Sequence, residues 1–170
     1  MRSLIKSYIK AVSLLSRICG VFSTTLILLA SVVVCQMVVM RYGLGESTVW
    51  QSEFIKYAII AATLLGSPYV LLLRGHVSVD IIYNYISPAH AKYASIISSI
   101  IGLLCCALIA WAGWLYFYEA WHEQWVTPTV WGPPLWIPLL PLPVGLFILT
   151  LQYLANIFID HVIDPEELST

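Results

Sequence analysis

The side chains able to do chemistry are few in this sequence. Glu119-x-x-His122, with Glu123 beside it, has the i, i+3 spacing that places a carboxylate and an imidazole on one helical face. Di-iron bundles use that spacing, but they need a second Glu-x-x-His and further carboxylates on facing helices. The sequence has no second copy. The four histidines, His76, His90, His122 and His161, do not fall at matched depths inside apolar runs, as paired haem ligands must. The cysteines, Cys19, Cys35, Cys105 and Cys106, lie in or at the ends of apolar runs. None forms a CxxC pair, so they read as small apolar packing residues. No catalytic residue, metal site or cofactor is expected.

What surrounds these residues explains their scarcity. Of 170 residues 60% are hydrophobic and only 10% are Asp, Glu, Lys or Arg, against roughly 25% in soluble domains. That excludes a cytosolic enzyme, a nucleic-acid binder and a disordered chain. Uncharged runs cover 18–40, 57–73, 93–118 and 124–159. Runs of about 20 apolar residues read as membrane-spanning helices. The fold class expected is therefore an all-α integral membrane protein, a single membrane domain over 1–170 with four spans, about 18–40, 57–73, 90–118 and 141–159. The basic N-terminus followed by an apolar run could be a secretory signal, but the run is too long and no A-x-A site follows it, so it reads as a retained first span.

Shorter elements connect the spans. Leu4, Ile5, Tyr8, Ile9, Val12 and Leu15 share one helical face of 1–17, with Lys6, Lys10, Ser13 and Arg17 on the other. This pattern predicts an amphipathic helix on the membrane surface. Gly43 and Gly45 break span 1. Thr48 with Gln51 forms a capping-box pattern for an in-plane interfacial helix over 47–56, in which Trp50, Phe54 and Tyr57 make an aromatic stripe and Glu53 can pair with Lys56. Pro68 should kink span 2. Residues 78–86 suggest another short interfacial helix. Ser87-Pro88 starts span 3, whose helical pattern can run on through Glu123. The segment 119–140 is rich in proline and holds Trp121, Trp125, Trp131 and Trp136. It cannot be regular helix throughout and reads as an ordered loop with an aromatic belt at headgroup level.

Charge sets an orientation. Arg2, Lys6, Lys10, Arg17, Arg74 and Lys92 fall on one side of the four-span topology, and Arg41 and Lys56 on the other. The positive-inside rule then puts both termini in the cytoplasm and the Pro/Trp loop outside. No ionisable side chain falls in the middle of a span, where proton relays and charged-substrate pathways keep theirs. A chain of this kind is not expected to translocate anything alone. The spans' polar residues, Gln36, Ser95, Ser98, Ser99, Gln152 and Asn156, read as helix–helix hydrogen-bonding groups.

The stretch from Arg41 to Asp80, RYGLGESTVWQSEFIKYAIIAATLLGSPYVLLLRGHVSVD, resembles the small membrane (permease) subunit of tripartite ATP-independent periplasmic (TRAP) transporters. The matching positions are Arg41, Tyr42, Trp50, Glu53, Gly66, Arg74, Gly75, His76, Val77, Val79 and Asp80. Ser52 stands where the family often has an acid, Lys56 where it often has Arg, and Arg74 alone replaces a basic pair. The proline-rich loop before a last span is also similar.

The resemblance implies a non-catalytic scaffold subunit in a bacterial inner membrane. It implies a large elevator-type membrane subunit as partner, a periplasmic substrate-binding protein, and sodium-driven uptake of an organic acid such as sialic acid or a C4-dicarboxylate. Arg41, Trp50, Glu53, Phe54, Lys56 and Tyr57 would then face a partner or phospholipids. Arg74, Gly75, His76 and Asp80 would fix the inner turn after span 2. The alternatives from other classes are a stand-alone four-helix channel or exporter and a membrane electron-carrier subunit.

Overall fold

The computed structural model describes residues 2–73, 88–129 and 131–161. Their regular elements are all helical: α1 (Arg2–Gly43), α2 (Val49–Leu72), α3 (Pro88–His122), the single-turn α4 (Trp136–Leu139) and α5 (Pro141–His161). Four helices are long and apolar enough to cross a membrane, with α4 and α5 running together as the fourth. The last of these is the hub. It packs against α1, α2 and α3, and α1 packs along α2. Most of α3 is exposed apart from its contact with α5.

Two boundaries differ from the sequence reading. The amphipathic stretch 1–17 is no separate surface helix, because α1 runs without a break from Arg2 to Gly43. Part of its apolar face is covered by α5, while Leu4 and Leu15 stay exposed. Ile9 and Val12 are buried against Ala155, with Ile5, Tyr8, Phe158 and Ile159 closing the cluster. Amphipathic spacing reports one apolar face; it does not report whether lipid or a helix covers it. The 47–56 segment likewise continues into span 2 as a single helix. The break between α1 and α2 is where it was expected, at Gly43–Gly45. Gly45 takes φ +68°, and the Glu46 N–H closes the turn on the Met40 carbonyl at 3.1 Å. That left-handed backbone suits glycine.

Close helix contact needs small residues in the absence of a hydrophobic drive between membrane helices. At the α2–α5 crossing, a Cβ on Gly145 would sit 2.5 Å from the Leu64 carbonyl oxygen. Between α1 and α2, a Cβ on Gly20 would strike the Tyr69 ring at the same distance. Pro68 lies fully buried within α2, which stays helical through it. Proline cannot donate to the carbonyl four residues earlier. The Ser67 hydroxyl donates to that carbonyl, Leu64 O, at 2.9 Å.

Candidate functional site

The polar side chains collect at two ends of the bundle. At one end the Pro/Trp segment meets the start of α2. Helix α3 ends with Gln124 at φ 50°, and the Trp125 N–H reaches back to the Ala120 carbonyl at 3.1 Å. This is the wrap-around helix stop that usually carries glycine. Gln124 Nε2 also donates to the Trp121 carbonyl at 2.8 Å. The chain then doubles back as a narrow hairpin, with Val126 bridged to Pro134 and the Leu135 N–H donating to the Trp125 carbonyl at 2.8 Å. Gly132 turns it at φ +58°. Six prolines thus do not leave 124–143 irregular throughout. Pro138 falls in the single turn of α4, and Pro141 and Pro143 open α5, positions whose N–H groups have no helical acceptor.

Glu53 anchors this hairpin. Its side chain is only 5% exposed, and its Oε2 accepts the Thr129 hydroxyl at 2.8 Å. Thr129 Oγ1 lies 3.2 Å from Thr127 Oγ1, and the Thr127 N–H and hydroxyl both reach the Pro133 carbonyl, at 3.1 and 3.0 Å. A buried carboxylate is therefore tied to the hairpin turn through Thr129, whose hydroxyl oxygen also accepts the Gly132 N–H at 3.4 Å. The expected Glu53–Lys56 pair does not form among the described residues: Glu53 points inward and Lys56 is exposed. Thr48 does stand at the start of α2, but its side chain makes no capping bond. Gln51, expected as its capping partner, is 1% exposed, and its Oε1 has no partner among the described residues.

Aromatic pairs lie along the same segment. Trp121 and Trp136 meet edge to face at 4.7 Å, and Trp125 packs on Tyr116 at 5.7 Å. These contacts fasten α3 to α4 and to the hairpin. Trp131, like Arg41 and Trp50, is exposed, while Phe54 and Tyr57 are half-buried. The Glu119, His122 and Glu123 cluster gains no metal site, and no group of three potential ligands exists among the described residues. His122 stacks on Tyr118 at 6.0 Å. Arg74, Gly75, His76 and Asp80, with the 78–86 segment, lie outside the described residues.

At the opposite end a second set of polar groups crosses three helices. The Ser16 hydroxyl donates to Gln152 Oε1 at 2.8 Å, Gln152 Nε2 donates to Asn156 Oδ1 at 2.9 Å, and Asn156 Nδ2 donates to the Leu71 carbonyl at 3.3 Å. Ser16 and Gln152 are fully buried. Tyr8 adds a bond from its hydroxyl to the Leu151 carbonyl at 3.0 Å, and Ser23 donates to the Ala62 carbonyl at 2.6 Å. Gln152 and Asn156 thus act as helix ties, as their place in an apolar run suggested. Gln36 does not: it is exposed on α1 and has no hydrogen-bond partner among the described residues. Ser98 is also exposed and Ser99 half-buried.

Sequence comparison meets this architecture on the same ground. Residues 30–160 match the family of tripartite ATP-independent periplasmic transporters, DctQ component. A chain from Haemophilus influenzae that carries the name of a TRAP transporter small permease protein is 29% identical over 93 residues, 55% of this chain. The match spans 58% of that relative's length. No solved structure matches. The DctQ component is a transporter part and not an enzyme family. Four apolar helices and a family match over most of the sequence make this chain a multi-pass protein of the bacterial inner membrane, and it belongs to the DctQ family, the small permease component of TRAP transporters.

Proposed function

We propose that this chain is a static scaffold subunit. It pairs with a large, elevator-type membrane subunit that carries the substrate and sodium sites, and it helps a periplasmic binding protein dock. The transported substrate is an organic acid of the sialic acid or C4-dicarboxylate class. One observation carries the scaffold reading: Ser16, Gln152 and Asn156, the polar side chains that cross between three helices, are bonded to each other and to the Leu71 carbonyl and not aimed into a path. A translocation site keeps ionisable or unpaired polar groups facing a cavity. These are locked between three helices.

The partner-facing side follows from Gln36. An amide side chain facing hydrocarbon lacks hydrogen-bond partners. Thr25 and Ser31, exposed on the same helix, satisfy themselves by donating to the Val21 and Ile27 carbonyls at 2.9 Å. Gln36 has no such internal partner among the described residues. The face of α1 around Gln36, with Val32 and Val39, is therefore assigned to the large subunit. With both termini cytoplasmic, the Pro/Trp hairpin, Arg41 and Trp50 face the periplasm and present the docking end to the binding protein. Mild-detergent co-purification tests the pairing. Gln36→Trp should cut recovery of the large subunit about tenfold while the chain itself remains folded; full recovery would remove this face from the interface.

A further inference from the structure

We propose that the groove between α1 and α2 at the end opposite the Pro/Trp hairpin is a binding site for one anionic phospholipid, whose phosphate is held by Arg17. The groove encloses about 590 Å³. Arg17 stands at its rim, and Val21, Tyr69, Leu72 and Leu73 form apolar walls. Gly20 keeps the floor open beside the Tyr69 ring, where any larger side chain would collide. The cavity thus carries a cation and, beside polar threonine and backbone surface, an apolar wall, which together complement a phosphate joined to an acyl chain. Thr24 and Thr25, also in the lining, turn their hydroxyl protons to the Gly20 and Val21 carbonyls at 2.9 Å, so they offer no competing hydroxyl donor. No carboxylate pairs with Arg17 among the described residues.

Depth gives an independent reason. Arg17 lies about 39 Å along α1 from Gly43, at 1.5 Å per residue. A bilayer with its headgroups is about 40–45 Å thick. With Gly43 and the tryptophans of the hairpin end at one interface, Arg17 falls in the headgroup layer of the other leaflet, and the groove's apolar walls fall just beneath it. A guanidinium at that level meets lipid phosphates, with which it can form paired charge-assisted hydrogen bonds.

The test is native mass spectrometry of the full-length chain, delipidated in detergent and titrated with phosphatidylglycerol or with phosphatidylcholine of the same acyl chains. The wild type should retain one phosphatidylglycerol about five times more tightly than phosphatidylcholine, the effect of one basic residue at a membrane surface. Arg17→Gln should erase that preference and Arg41→Gln should keep it. Val21→Trp, which fills the groove and leaves the charge, should also erase it. The proposal is overturned if Arg17→Gln keeps the preference, if Val21→Trp leaves it intact, or if millimolar inorganic phosphate displaces the lipid, which would make Arg17 a plain anion contact.

Discussion

A single carboxylate decides how the Pro/Trp hairpin is seated. Glu53 has one described hydrogen-bond donor, the Thr129 hydroxyl, and it sits almost wholly out of solvent. Removing one partner of a buried bond exposes the full desolvation penalty of the other, about 1–3 kcal/mol. Glu53→Ala should therefore loosen the hairpin by about that amount, read as faster labelling of a cysteine placed at position 131, whereas Glu53→Gln keeps an acceptor oxygen and should label near the wild-type rate. Equal labelling of both variants would mean that Thr129 does not hold the hairpin through Glu53. Gln124 is the second such residue. It holds a left-handed conformation that costs an ordinary residue about 1 kcal/mol and glycine little. Gln124→Gly should raise thermal stability in detergent by somewhat less than that, since the bond to the Trp121 carbonyl is lost; a fall in stability would show that this side-chain bond outweighs the strain.

Among the helices, the crossings are set by small residues and the polar tie by amides. Gly145→Ala drives a methyl group into the Leu64 backbone, which cannot rotate away, and should cost about 1–3 kcal/mol, the range for overpacking. Gly102→Ala meets only the far end of the Tyr153 ring at 3.0–3.2 Å and should cost less. Thermal aggregation of the two variants in the same detergent checks the order, and a reversed order would contradict the crossing described. Gln152→Leu removes the centre of the three-helix tie and should cost about 0.6–1.7 kcal/mol, the range for interhelical hydrogen bonds in membranes.

The four apolar spans and the break at Gly43–Gly45 were readable from charge gaps and glycines, because the bilayer imposes length and hydropathy on sequence directly. The junctions were not. Residues 1–17 and 47–56 look like separate surface helices because amphipathic spacing is blind to what covers the apolar face, and here the first covers α5. In the same way Glu53 and Lys56 have the spacing of an ion pair. Long-range contact with Thr129, 76 residues away, captures the carboxylate instead, and no local pattern could announce it.

For the whole molecule, the bundle is one-sided. The last helix is surrounded by three others, while α3 and the outer face of α1 stay open. Such a shape suits a component that completes a larger assembly, and the DctQ family match names the kind of assembly. The orientation proposed for it is checked by membrane-impermeant thiol reagents on cells: a cysteine at position 131 should label from outside, and one at position 6 should not.

A scaffold subunit must pair with a large subunit. Tagging the chain in its native host, extracting it in mild detergent and weighing the complex tests it most directly. A one-to-one complex with a single large multi-span membrane protein is expected. Recovery of the chain alone, or as an oligomer of itself, would contradict it.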